Sequence, residues 1–266
     1  MKLSSPVYIL KSRAKELKKA QGISLSIALD QIARQEGYDS WSLLISKSEE
    51  VFPQKYSEVL GFLNDGDLVL IGARPSMGKS TFTYGLFVQA IEEARPKSFC
   101  FTLVERQNEM IKRMATYSHA IGQNDGYELD YSNDICADYI ISVTKNQVRP
   151  GSLIVVDYLQ ILDEKRTNPP LQEQIEKFKA FAKEVGCIII FLSQIDRGIG
   201  DRSDQRPTLD DIRLPNPLDL GLLNKIIFLY RESRLSTEVD VIFGGRFSHS
   251  FKVGLDIDEA RIFNMY

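Results

Sequence analysis

The chain has 266 residues, 43% of them hydrophobic and 26% charged, with a formal net charge of −3. That length holds one α/β core plus a small appendage. No segment approaches the roughly 18 consecutive apolar residues of a membrane span, and the near-neutral balance excludes a molecule that traps nucleic acid by bulk charge. The cysteines Cys100, Cys136 and Cys187 show no metal-ligand spacing, and His119 and His249 are the only histidines, which argues against a zinc site. The expectation is a reduced, cytoplasmic protein with no export signal.

Residues 1–50 read as a small helical module and 51–266 as the main domain. Lys2, Lys11, Arg13, Lys15, Lys18 and Lys19 make its start basic. Leu25, Ala28, Leu29, Ile32 and Ala33 repeat at helical spacing, Gly37 stops that helix, and Asp39 or Ser40 can cap the next, Trp41 to Ser46. A docking or packing module is favoured over a DNA-reading helix-turn-helix, because no groove-reading set of side chains stands out.

Asn64-Asp65-Gly66-Asp67 is a turn signal, and Leu68–Ile71 follows as a buried strand. A glycine-bearing loop comes next, then a helix from Ser80 to about Ala94 and a second strand from Ser98 to Leu103. Residues 107–120 read as a helix, 121–133 as a polar loop, and Ile135, Tyr139, Ile140 and Val143 as part of another helix. Leu153–Asp157 is a third buried strand. Pro169-Pro170 opens a helix with the stripe Leu171, Ile175, Phe178, Ala182 and Val185, which Gly186 ends. Cys187–Leu192 is the fourth strand. The segment Asp196–Asp219 is long and irregular, a length usually tied to function or mobility. Ile226–Leu229, Val239–Phe243 and Phe251–Leu255 complete the strands. Apolar strands alternating with helices predict a mostly parallel sheet covered on both faces, and the last strands predict an antiparallel extension.

A few positions carry chemistry. Ala73-Arg74-Pro75-Ser76-Met77-Gly78-Lys79-Ser80-Thr81 lies between a strand and a helix. That is the context in which backbone N–H groups cradle phosphates, a lysine reaches the β- and γ-phosphates, and a hydroxyl meets Mg²⁺. Alanine takes the place of the motif's usual first glycine, with Gly72 just before it. The motif predicts a nucleoside-triphosphate site. Asp157 ends a buried strand, where a carboxylate faces the ligand crevice and can hold the magnesium's water shell. Glu105 follows the second strand, either as the base that polarises an attacking water or as a solvated helix-start glutamate. Gln194 follows the fourth strand, either as a γ-phosphate sensor or as an ordinary polar strand end. Arg197, Arg202, Arg206 and Arg213 could contact a phosphate backbone. Asp196, Asp201, Asp204, Asp210 and Asp211 interleave with them, so a merely solvated loop is as good a reading.

Together, Gly-Ala-Arg-Pro-Ser-Met-Gly-Lys-Ser at 72–80, Val-Asp-Tyr-Leu-Gln-Ile-Leu at 156–162, Leu-Ser-Gln-Ile-Asp-Arg at 192–197, Arg-Pro-Thr-Leu-Asp-Asp-Ile-Arg at 206–213 and Ile-Ile-Phe-Leu-Tyr-Arg at 226–231 resemble the C-terminal motor domain of DnaB-type replicative helicases. The resemblance covers about residues 60–250. It is strongest toward short DnaB-like proteins with a small helical N-terminus. It implies a RecA-like fold, a ring that is usually hexameric, ATP with Mg²⁺, and movement on single-stranded DNA in replication. By position it implies Gly72 to Thr81 and Arg231 at the nucleotide, Ser80 and Asp157 at the metal, Gln194 as sensor, and Arg197, Arg202 and Arg206 near DNA.

Three departures bear on this. The family's catalytic glutamate aligns with Val104, and Glu105 stands one residue late, which reverses side-chain direction on a strand unless the strand bulges or ends early. The family's Lys-x-Arg pair, which reaches into the neighbour's site, keeps only Arg246, in Gly244-Gly245-Arg246. The primase-docking domain has no counterpart in residues 1–50, so primase docking is not expected. The main rival is an ATP-binding regulator or assembly scaffold without unwinding. A recombinase-type or clock-type ATPase is disfavoured by the wording at 156–162 and 206–213.

Overall fold

The structure is a computed structural model that describes residues 3–5, 7–47, 52–119, 121–122, 125–163, 165, 167–214, 216–244 and 249–265. One nine-stranded sheet organises it. Its strands are β1 (Leu68–Ala73), β2 (Ser98–Thr102), β3 (Tyr127–Asp130), β4 (Leu153–Asp157), β5 (Ile188–Gln194), β6 (Lys225–Tyr230), β7 (Glu238–Phe243), β8 (Ser250–Asp256) and β9 (Arg261–Asn264), in spatial order β3-β2-β4-β5-β1-β6-β7-β8-β9. β3 through β6 in that order pair in parallel, and β6, β7, β8 and β9 pair antiparallel. The predicted parallel sheet with an antiparallel extension is therefore present.

At the N-terminus, α1 (Val7–Gln21), α2 (Leu25–Gln35) and α3 (Trp41–Lys47) enclose a small core of Leu10, Ala14, Ala28, Ile32, Ala33 and Leu44. Ser24 caps α2, and Ser40 accepts from the Leu43 N–H at the start of α3. Ser5 donates to the Gly221 carbonyl and Arg13 pairs with Asp219, so these helices rest on the turn before β6. No described helix is long and apolar enough to cross a membrane.

The central strands are apolar at nearly every position because both faces are covered. β1 is buried along its whole length. Val69, Ile71, Ile188, Ile190 and Val155 join one core, while Leu70, Ile189, Phe191 and Val156 join the other. The short α4 (Val59–Phe62) adds Val59 and Leu60 to the first core. That core also holds α5 (Lys79–Glu92), a helix so enclosed that Thr81 to Val88 are all buried. α6 (Gln107–Ala115) and α7 (Ala137–Thr144) follow β2 and β3 along the chain. α6 buries Met110 and Met114 in the first core, and α7 buries Ala137 and Ile140 in the second. The second core is filled further by α8 (Leu171–Val185), which buries Leu171, Ile175, Phe178 and Ala182 of the predicted stripe and ends at Gly186 in the left-handed region, φ 79°.

Four expectations need correction. The stretch 121–133 is not all loop, since β3 pairs there with β2. It is a short polar edge strand with half-exposed side chains, so no apolar run announces it. β9 is a second such edge strand outside the expected set, with Ile262 as its buried residue. The helix expected over 107–120 ends at Ala115. The second strand stops at Thr102, one residue early, because the buried Thr102 hydroxyl accepts from the Val104 N–H at 3.1 Å and bends the chain out of the ladder.

Candidate nucleotide site

The C-terminal ends of β1 and β5 and the segments that follow β2 and β6 open onto one cavity. It is lined by Ala73, Arg74, Pro75, Ser76, Gly78, Lys79, Ser80 and Thr81, by Val104 and Glu105, by Arg113 and Gln194, by Arg231, and by Leu255, Asp256, Ile257 and Ala260. This is the carboxyl edge where open α/β sheets take ligands.

The loop between β1 and α5 turns through two residues in the left-handed region, Ser76 (φ 66°) and Gly78 (φ 94°). Gly78 occupies the N-cap of α5 and brings no capping side chain. The free N–H groups of the first turn and the positive end of the helix dipole therefore meet the cavity, which suits an anion. Burial pulls the Lys79 ammonium below the usual lysine range, opposed by the charge of Asp157. A polyphosphate would remove that penalty by supplying counter-charge.

Of the run from Gly72 to Thr81, Gly72 and Met77 do not line the cavity. Gly72 is a packing residue of β1, since an added Cβ would come within 2.9 Å of the Phe228 ring. Met77 is buried in the core, and its N–H is bonded to the Arg74 carbonyl at 3.3 Å.

Ser80 donates to Oδ2 of Asp157 at 3.2 Å. Asp157 is only 2% exposed. Burial raises its carboxyl above the ordinary range, opposed by Lys79, the Ser80 hydroxyl, Arg113 and Tyr84. A hydroxyl and a carboxylate brought together at a phosphate cradle are hard oxygen donors that fit Mg²⁺, which takes few protein ligands and completes its shell with water and phosphate.

Glu105 lies in the cavity wall although it stands one residue late in the motif. The early end of β2 at Thr102 removes the strict alternation of a strand, so the shift no longer turns the side chain away. Val104, at the aligned position, is 56% exposed. Oε1 of Glu105 is bonded to Nη1 of Arg113, and Oε2 is buried without a partner. Burial raises the Glu105 carboxyl, Arg113 lowers it, and Asp157 and Glu109 raise it further.

Arg231 reaches the cavity but is held by backbone. Its guanidinium donates to the carbonyls of Ser76 (3.0 Å), Ser236 (2.8 Å from Nε) and Arg234 (2.5 Å). It holds the apex of the phosphate loop instead of presenting free donors. Gln194 ends β5 in the cavity wall, and its carbonyl accepts from the Arg213 N–H at 3.1 Å, closing the base of the loop between them. Within that loop Arg202 pairs with Asp211 at 2.8 Å and Arg206 with Asp204 at 3.0 Å. Two of the interleaved acids, Asp204 and Asp211, are thus ion-pair partners, and neither arginine is an unpaired cation. The side chain of Arg197 and all of Arg246 lie outside the described residues.

Two contributors escaped the sequence reading. Arg113 is one polar residue on an amphipathic helix, with no motif to mark it. The end of β8 and the turn after it supply Leu255, Asp256, Ile257 and Ala260, and only the sheet order brings them over the phosphate loop.

With this geometry in place, comparison with known proteins decides the family. The DnaB-like helicase C terminal domain matches residues 54–134 and 133–243. The chain belongs to that family. It is 28% identical over 204 residues to the replicative DNA helicase DnaB of Haemophilus influenzae, covering 64% of this chain and 43% of that protein. It spans about half the length of the curated relatives it matches. Among solved structures, an ATPase domain superposes with a TM-score of 0.67 at 23% identity, covering 91% of this chain and 99% of that one. A DnaB-like replicative helicase, described with its interactions with primase, superposes with a TM-score of 0.67 at 21% identity over 97% of this chain and 75% of that one. These likenesses establish the RecA-like fold. The expectation against primase docking gains no support from them.

Proposed function

We propose that this DnaB-family chain is an ATP-driven motor that hydrolyses ATP with Mg²⁺ and couples turnover to single-stranded DNA, working as a ring. One observation carries the reading. Lys79, Ser80 and Glu105 line a single cavity, Ser80 is bonded to the buried Asp157, and Glu105 is brought in by the early end of β2. Lys79 and the first turn of α5 bind the phosphates. Ser80 and Asp157 would hold the magnesium, which would neutralise charge on the phosphates. Glu105 accepts the proton of the attacking water through Oε2. Gln194 senses the γ-phosphate and transmits its state to the loop that ends at Arg213. That loop faces DNA through Arg197, Arg202 and Arg206, the last two after exchanging their carboxylate partners for phosphates. Arg246 would serve the neighbouring subunit's site. Residues 1–50 form a separate docking module.

The scaffold reading rests on the valine at the aligned glutamate position and the missing lysine near Arg246. The place of Glu105 in the cavity weighs against it. Two measurements separate the readings, ATP turnover with and without single-stranded DNA and particle size by light scattering. DNA-stimulated turnover by a large ring supports the motor. A monomer that binds ATP without turning it over supports the scaffold. Lys79→Ala removes a charge-assisted contact of about 1.5–3 kcal/mol, so ATP affinity should fall about tenfold to a hundredfold. Unchanged affinity would overturn the site.

A further inference from the structure

Glu105 leaves the end of β2 on a bent segment with no ladder hydrogen bonds, so the sheet does not fix where its carboxylate goes. The constraint comes from Arg113, near the end of α6. Its Nη1 donates to Oε1 of Glu105 and its Nη2 donates to the Thr81 hydroxyl at 2.8 Å. Its guanidinium carbon sits 4.9 Å from the centre of the Tyr84 ring, and the Tyr84 hydroxyl is 3.5 Å from Oδ2 of Asp157. The guanidinium is thus a strut between the loop after β2 and the first two turns of α5. It engages one oxygen of Glu105 and leaves Oε2 as the unpartnered acceptor. A rigid planar fork suits this task, because its donors diverge at a fixed angle toward two acceptors.

We propose that Arg113 is the positioning residue for Glu105, anchoring Oε1 so that Oε2 is held as the proton acceptor for the attacking water. This rests on the reading of Glu105 as the base. It explains how a glutamate displaced by one residue serves without help from strand geometry. The same cation opposes the upward shift that burial imposes on this half-buried carboxyl. The groups that face Glu105 are Arg113 and Glu109 on α6, Asp157 on β4, Tyr84 on α5, Cys100 on β2 and Tyr131 after β3. Arg113 is the cation of this set, so its loss leaves burial and the neighbouring acids unopposed.

The test compares Arg113→Met, Arg113→Lys and Glu105→Gln in the full chain, with steady-state ATP turnover across pH and affinity for a fluorescent ATP analogue. Arg113→Met should lower kcat by about tenfold to a hundredfold, the scale of a displaced catalytic group, with affinity within about threefold of the parent. Its acid limb should move to higher pH, and Arg113→Lys should recover part of both losses. An unshifted acid limb without rescue by lysine would mean a merely structural strut and would overturn the proposal, as would unchanged kcat. Wild-type turnover in Glu105→Gln would instead remove the base itself and the proposal with it. A dead Glu105→Gln beside unaffected Arg113 variants would remove only the positioning role.

Discussion

The Ser80 hydroxyl donates to Oδ2 of Asp157 at 3.2 Å, joining the first turn of α5 to the tip of β4 across the end of β5. The two residues lie 77 positions apart in sequence, and only the parallel sheet brings them together. Both oxygens are hard donors at the phosphate end of the cavity. Ser80→Ala should therefore weaken binding of ATP with Mg²⁺ by roughly tenfold, the scale of one good hydrogen-bonding or coordinating contact. Affinity measured in excess chelator should change little. Titration of a fluorescent ATP analogue with and without Mg²⁺ checks this, and an equal loss in both would argue against a metal role.

Glu105 yields a prediction about stability and pH as well as turnover. Its folded-state pKa is raised above the ordinary glutamate value, chiefly by burial. The folded protein therefore has its full stability from this group below the ordinary value and loses it as pH rises through the raised one. Glu105→Gln cannot ionise and escapes that loss. Its melting temperature relative to the parent should be more favourable near about pH 8 than near about pH 4, while ATP turnover falls about a hundredfold or more. Thermal melts of the nucleotide-free proteins at both pH values check the first part. A pH-independent difference would mean that Glu105 is not held in a desolvated place.

Much of this site was legible in the sequence because its residues sit at strand ends. A buried parallel strand reads as an apolar run, and the residue that ends it faces the ligand edge, which singled out Asp157 and Gln194 without knowledge of the sheet order, while Lys79 was marked by the phosphate-loop pattern between a strand and a helix. Glu105 was ambiguous because one residue decides its direction on a strand. The answer lay in a threonine hydroxyl that ends β2 early. Arg113 could not be read, since its partners Glu105, Thr81 and Tyr84 come from separate places in the chain. Arg231 was located by its motif, but its backbone partners were not. Whether a guanidinium meets phosphate or backbone carbonyls depends on the turn after it, and here Arg234 and Ser236 fold back to claim it. The charge pattern of the loop 196–219 was visible, whereas the pairing of Arg202 with Asp211 was not.

Gly72 tests whether the glycine before the loop serves ligand or packing. A Cβ there would meet the fully buried Phe228 ring at 2.9 Å and the Leu70 side chain at 3.4 Å. Gly72→Ala should destabilise the protein by roughly 1–3 kcal/mol, the usual cost of overpacking, seen as a drop of a few degrees in melting temperature. Phe228→Leu in the same chain should recover part of it, because residues in contact couple non-additively. ATP affinity of the folded variant should stay near that of the parent. A large loss of affinity at unchanged stability would return Gly72 to the binding loop.

The same logic applies on the other side of the cavity, where Tyr117 ties the C-terminal hairpin to the phosphate-loop helix. Its hydroxyl donates to the Thr81 carbonyl at 2.9 Å and accepts from the Ile262 N–H at 2.8 Å. Burial pushes its pKa up to about 12, so the proton needed for the first bond stays in place at neutral pH. The second bond fixes β9, and through β9 the turn whose Asp256, Ile257 and Ala260 line the cavity. Tyr117→Phe removes both bonds and leaves the Ile262 N–H without this acceptor, while the Thr81 carbonyl keeps its helical bond, a cost of roughly 1–3 kcal/mol. Hydrogen exchange should rise at Ile262 and along the β8–β9 turn, and ATP affinity should fall by a few-fold as that wall loosens. Unchanged exchange at Ile262 would show that pairing with β8 alone holds the strand, in which case the hairpin is an independent wall of the site and Tyr117 only fills space beneath it.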